Sequence, residues 1–115
     1  MTRQYPAGDG GPDIIVEKEM GLRLDEFHRS MRHLVEGLNI APGQVVFQLD
    51  LGAFLGETPG ISTIEISAGE EYLVRLSPLV NMPRRRIALR FTNPQDGQDT
   101  RFLARFDKAF QRGGG

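Results

Sequence analysis

The hydrophobic period of this chain changes twice, and that change restricts the fold more than any single residue does. Between residues 24 and 38, Leu24, Phe27, Met31, Leu34, Val35 and Leu38 project, at about 100° per residue, into one arc about 100° wide. That is the stripe of a helix laid on a core. From Val45 the period falls to 2. Phe47, Leu49 and Leu51 alternate with Gln48 and Asp50, then Ile64 and Ile66 with Thr63 and Glu65, then Tyr72, Val74 and Leu76 with Arg75. Ile87, Leu89 and Phe91 alternate in the same way with Arg86, Ala88 and Arg90. Each such segment has one core face and one wet face, as in an antiparallel sheet covered on one side. After Asn93-Pro94 the helical period returns, with Phe102, Leu103, Phe106, Ala109 and Phe110 on one side.

Local signals divide these segments. Ile14-Ile15-Val16 opens a first strand that ends near Met20, and Gly21 turns the chain. Asp25 and Glu26 occupy the first turn of the next helix, where its dipole favours anions, and Gly37, Asn39 and Pro42-Gly43 stop it. Ala68-Gly69-Glu70 reads as a tight turn joining two strands into a hairpin. Asp99 or Thr100 is placed to cap the closing helix. The resulting order is β-α-β-β-β-β-α, an α+β two-layer sandwich with both helices on one face of a mostly antiparallel sheet. Its first strand-helix-strand unit crosses right-handedly if those two strands are parallel. The alternative is a curled half-barrel around one helix.

A length of 115 residues suits a single domain able to bury roughly two-thirds of its unfolded surface. Residues 1–12, rich in Gly and Pro, read as a flexible tail, and residues 13–115 as the domain. Cysteine is absent, which excludes disulfides, thiolate metal sites and cysteine nucleophiles and suggests a reducing, cytoplasmic setting. No apolar run approaches a membrane span and no signal-type segment begins the chain.

The near-zero net charge conceals a division. Residues 1–71 carry five Lys/Arg and twelve Asp/Glu, a balance of −7, whereas residues 72–115 carry nine and three, a balance of +6. Such a split serves internal pairing, an anionic partner or a complementary second copy. Two cationic features stand out within the basic half. Arg101, Arg105, Lys108 and Arg112 recur at i, i+4, i+7 and i+11 on the closing helix, and no acidic residue of that helix interrupts the stripe. Arg84, Arg86 and Arg90 share, by alternation, the sheet face that the helices leave open, with Arg75 nearby. Exposed aromatics for base stacking are missing, so nucleic acid is less favoured than an acidic protein.

Catalytic patterns are weak by comparison. His28 and His33 lie about 140° apart around one helix and share no ligand face, so His28 reads as a boundary residue bonded to backbone or to Asp25. Ser30, Ser62, Ser67 and Ser77 stand in no nucleophile-elbow context. No metal or cofactor motif is present. The segment from Gly52 to Gly60 carries Phe54 and Leu55 as loop candidates for contact with a ligand or partner. Leu79 and Val80 are left over as further interface candidates.

The block from Arg101 to Gly115, with Pro83-Arg84-Arg85-Arg86-Ile87 ahead of it, resembles the end of small bacterial proteins of unassigned function that finish in an F-Q-R-G-G-G signature. That resemblance covers about a third of the chain and implies only that the ending is native. Three functions are therefore carried forward. The first is a non-enzymatic accessory or adaptor protein that binds an acidic partner, or a second copy of itself, through the Arg-rich surface. The second is a small-molecule binder or enzyme with a pocket between sheet and helices. The third is a sulfur-carrier-like protein using Gly113-Gly114-Gly115.

Overall fold

A computed structural model describes residues 3–5 and 13–112. Eight elements follow one another: β1 (Arg3–Tyr5), β2 (Asp13–Met20), α1 (Leu24–Leu34), β3 (Val46–Asp50), α2 (Leu51–Phe54), β4 (Thr63–Ser77), β5 (Val80–Thr92) and α3 (Gln98–Arg112). The strands form one open sheet in the order β1-β2-β5-β4-β3, every neighbouring pair antiparallel. The α+β two-layer arrangement is as expected, and the sheet does not curl into a half-barrel. β2 and β3 have two strands, β5 and β4, between them and run in opposite directions, so the first strand-helix-strand unit is no parallel crossover.

The core is built by alternation. Ile14 and Val16 of β2, Phe47 of β3, Ile64, Ile66 and Ala68 of β4, and Ile87, Leu89 and Phe91 of β5 are buried on one face. Phe27 and Met31 of α1 and Phe102, Phe106, Ala109 and Phe110 of α3 cover them. Phe27 bridges the layers, 5.7 Å from Phe47 and 5.9 Å from Phe110 between ring centres. Phe106 and Phe110 stack at 4.0 Å. Tilted and offset ring pairs of this kind add to the gain from area burial.

Local details differ from the sequence reading at several points, among them Leu51, which opens α2 instead of ending a strand, and Tyr72, Val74 and Leu76, which lie outside the core. Ala68-Gly69-Glu70 is not a hairpin turn: β4 runs straight through it, with a bulge between Ala68 and Glu71, and reverses instead at Pro78-Leu79. The order β-α-β-β-β-β-α is preserved when the two parts of β4 either side of that bulge are counted separately, with β1 added ahead of it and the short α2 added between β3 and β4. A bulge inserts an extra residue that mimics a turn in sequence while the pairing continues. α1 ends at Leu34, so Val35 and Leu38 follow the helix instead of completing it. α3 begins at Gln98, ahead of Asp99 and Thr100, and Gln98 accepts a bond from the Gln95 N–H at 2.8 Å. Within the segment read as a flexible tail, Arg3–Tyr5 pair with the free edge of β2 through backbone bonds that need no apolar burial; the remainder of residues 1–12, like Gly113-Gly114-Gly115, lies outside the described residues.

Candidate functional site

The side chains singled out in sequence fall into three groups on the folded chain. On the open sheet face, Arg90 sits 3.2 Å from Asp13 and Arg86 3.9 Å from Glu19. Glu65 faces Arg90 across the β4–β5 register, and Gln48 donates to Glu65 at 3.0 Å. The expected cationic sheet face is thus a mixed one, because β2 and β4 bring the acidic half of the chain against the basic half. Arg75 stands apart near the end of β4, where its guanidinium donates to the Pro78 carbonyl at 3.4 Å.

The stripe on α3 is likewise divided. Arg101 pairs with Glu57 at 3.0 Å, an interruption supplied by the loop after α2 and invisible in helix periodicity. Arg105 has no acidic partner among the described residues; it donates to the Phe54 carbonyl at 3.3 Å and lies 5.4 Å from the centre of the Phe54 ring. Lys108 is exposed and carries no ion pair among the described residues. The Arg112 side chain lies outside the described residues.

Arg105 and Lys108 belong to one cleft of about 460 Å³ between the end of α1, α2 and α3, lined also by His33, Leu34, Val35, Glu36, Phe54 and Ala109. Apolar side chains form its floor, and three basic side chains against one acidic side chain stand round it. A second cleft, of about 400 Å³, sets Arg84 against both Glu19 and Asp107 and so carries a net negative lining. Phe54 and Leu55 are half-buried against the core, not exposed, because the loop folds back on α3. His28 does not line the cleft; its ring stands edge-on to Phe47 and its Nε2 lies 2.7 Å from the Gln44 carbonyl.

The loop that carries Phe54 is tightly held. The Asp50 carboxylate accepts from the Ala53 N–H at 2.9 Å and from the Gly60 N–H at 2.7 Å, closing both ends of the turn. Those bonds, the Ala53 one foremost, hold its pKa below the ordinary 3.8. The clasp is therefore complete above that ordinary value and is lost only as pH falls through the lowered one. Further along, the buried Ser62 hydroxyl donates to Gln98 at 2.8 Å, and Gln98 donates to Glu57 at 3.0 Å. Gly52 is buried where a Cβ would stand 2.0 Å from the Thr58 carbonyl oxygen. Replacing it by Ala forces that backbone outward, and the expected cost is about 1–3 kcal/mol, read by urea unfolding. A change below 0.5 kcal/mol would mean that the loop yields freely.

Sequence reasoning located Arg105, Lys108 and Phe54 but not their meeting. It missed Arg85 altogether, a buried residue whose place beside Ile87 on the core face of β5 follows from strand alternation. Among the described residues no group of three or more His, Asp or Glu is placed to hold a metal ion, and no helix is long and apolar enough to cross a membrane. Comparison with known proteins gives no match: no family model fits the chain, and neither curated proteins nor solved structures show significant similarity to it.

Proposed function

We propose that this protein is a small non-enzymatic adaptor that seats an acidic segment of a partner protein in the cleft between α1, α2 and α3. The observation that carries this reading is the pairing of an apolar floor with two cations, Arg105 and Lys108, that have no acidic partner among the described residues. Arg105 is held against Phe54, so part of its side-chain freedom is already lost before a ligand arrives. A carboxylate bridging Arg105 and Lys108 gains charge-assisted bonds, and an adjacent apolar side chain covers Leu34, Phe54 and Ala109. Nucleic acid suits the surface less well. Arg86, Arg90 and Arg101 are already paired internally, which leaves no long cationic track for a phosphate backbone. A small anionic molecule in the same cleft is the second reading, favoured by the cleft volume alone.

The test is a titration of ¹⁵N-labelled protein with an acetylated Glu-Leu-Glu amide peptide, followed by amide shifts. The expected result is saturable shifts at His33, Phe54, Arg105 and Lys108, weakening with salt and at least ten-fold weaker in Arg105→Glu/Lys108→Glu, about 1.4 kcal/mol or more. Shifts elsewhere, or binding untouched by the double substitution, would overturn the reading.

A further inference from the structure

Beyond the bulge, β4 and β5 leave the sandwich together as an arm. Pairing with β3 stops at Ser67 and pairing with β2 stops at Arg85, so the two strands continue alone from Tyr72 and Arg84 to the turn at Pro78-Leu79. The register spreads apolar side chains over both sides of this ribbon: Val74 and Met82 share one face, Leu73 and Pro83 the other. Leu79 at the turn is 94 % exposed, Leu73 64 % and Leu76 57 %, with Val80 and Met82 also exposed. A flat partner surface would cover one face and leave the other in water. These five side chains also supply too little area for a specific protein interface of roughly 1,200–2,000 Å².

The turn directs polar groups inward. Pro78 has no N–H, its carbonyl accepts from Arg75 at 3.4 Å, and the Leu79 N–H donates to the Ser77 hydroxyl at 3.4 Å. Backbone groups satisfied in this way around an exposed leucine suit a medium poor in water, where unpaired donors and acceptors are costly. Charge sets the sign of that medium. Residues 72–84 hold Arg75 and Arg84 and no acidic residue, and neither arginine has an ion pair among the described residues. Glu71, at the base of the arm, is seven residues from Pro78, about 20 Å at ~3.3 Å per residue and well beyond the Debye length of about 8 Å.

We infer that the arm attaches the protein to an anionic lipid surface, with Leu79 and Val80 entering the boundary between headgroups and acyl chains and Arg75 among the lipid phosphates. The register sets these depths. Arg75 pairs with Asn81, two residues above Leu79, about 7 Å at ~3.3 Å per residue. A tip buried about 5–10 Å, the usual depth of interfacial segments, leaves Arg75 at the phosphate level. Only one of its bonds, the one to Pro78, is already made, so its other donors are free for phosphate oxygens. A fluid surface closes round the ribbon and covers both apolar faces at once. The free strand edges keep the insertion shallow, since their N–H and C=O groups need water or headgroup partners. An apolar wedge with an arginine beside it gives reversible attachment, not permanent anchoring.

Flotation of the full chain with vesicles tests this. The expected result is binding to phosphatidylcholine vesicles holding about 30 % phosphatidylglycerol, weaker on phosphatidylcholine alone and falling as salt rises. Leu79→Glu, at a position outside the core, lowers the partition coefficient about ten-fold or more, and Arg75→Gln lowers it about five-fold on the anionic vesicles. Thermal unfolding of the domain is retained in both. Because the chain has no cysteine, a polarity-sensitive dye on Leu79→Cys gives a second probe: its emission moves to the blue on the anionic vesicles, whereas that of the same dye on Glu36→Cys, at the cleft, does not. Absence of wild-type binding, equal binding to both kinds of vesicle, undiminished binding by Leu79→Glu, or a blue shift at Glu36→Cys instead of Leu79→Cys would each overturn the inference. Amide shifts along the arm with the Glu-Leu-Glu peptide and none with vesicles would assign the arm to an acidic protein and overturn it too. Arg105→Glu/Lys108→Glu weakens peptide binding at the cleft but leaves the blue shift at Leu79→Cys, so failure of the cleft reading and failure of this one are separately visible.

Discussion

Phe102→Ala is expected to lower the unfolding free energy by about 3–5 kcal/mol. Phe102 is fully buried on α3, and its ring lies 5.1 Å from Phe54, 5.8 Å edge-on from Phe91 and 6.4 Å from Phe106. It is thus the point where β5, α3 and α2 meet. Truncation removes the transfer energy of the ring and leaves a cavity that three elements would have to shift to fill. For a domain with a total stability of about 5–15 kcal/mol, that leaves a small margin. The second consequence is local. Phe54 loses its support, so peptide binding at the cleft weakens although no cleft-lining residue has been changed. Urea unfolding and the peptide titration, performed on the same variant at a temperature where it remains folded, check both. Phe102→Leu, which keeps most of the apolar volume, recovers the greater part of each effect. A cost below 1 kcal/mol would show that α3 does not bear on the sheet through this residue.

How far the chain could be read from its letters follows from which interactions are local. The stripes of α1 and α3 and the alternation of β3, β4 and β5 are short-range patterns, and they yielded the class, the layers and nearly all of the buried residues. The bulge was misread because Ala68-Gly69-Glu70 is chemically a turn. Only the continued pairing of Glu71 with Arg85 and Tyr72 with Arg84 shows that the chain does not reverse there. The charge reading was incomplete for a related reason. A helix wheel displays neighbours on the same helix, yet the residue that neutralises Arg101 is Glu57, 44 positions earlier. Phe54 and Leu55 looked exposed because nothing in their own segment covers them; Phe102 does. The cleft therefore became visible only when the loop and α3 were placed together.

Arg85 shows how one letter in a run of three arginines acquires a separate role, and Arg85→Met is expected to cost about 2–4 kcal/mol. Alternation turns Arg84 and Arg86 toward the open face and Arg85 toward the core side, where it is buried. Its Nε donates to the Leu22 carbonyl at 3.3 Å, one terminal nitrogen to the Gly69 carbonyl at 2.5 Å, and the other lies 3.9 Å from Glu71. One guanidinium thereby ties the β2–α1 connection to both sides of the bulge. Methionine keeps the apolar stem but leaves both carbonyls without their donor, and it is this unsatisfied pairing that sets the cost. Lysine restores the charge but not the fork, so it recovers only part. Arg86→Met is the control: that side chain is exposed, its Glu19 contact is 3.9 Å long, and the expected change is under 0.5 kcal/mol. Urea unfolding separates the two. Hydrogen exchange across residues 69–72 adds the mechanism, because release of the bulge should free the base of the arm before the core opens. Equal costs for the two substitutions would mean that Arg85 contributes only as a surface charge. A large cost with unchanged exchange at the bulge would move its role to the Leu22 contact alone.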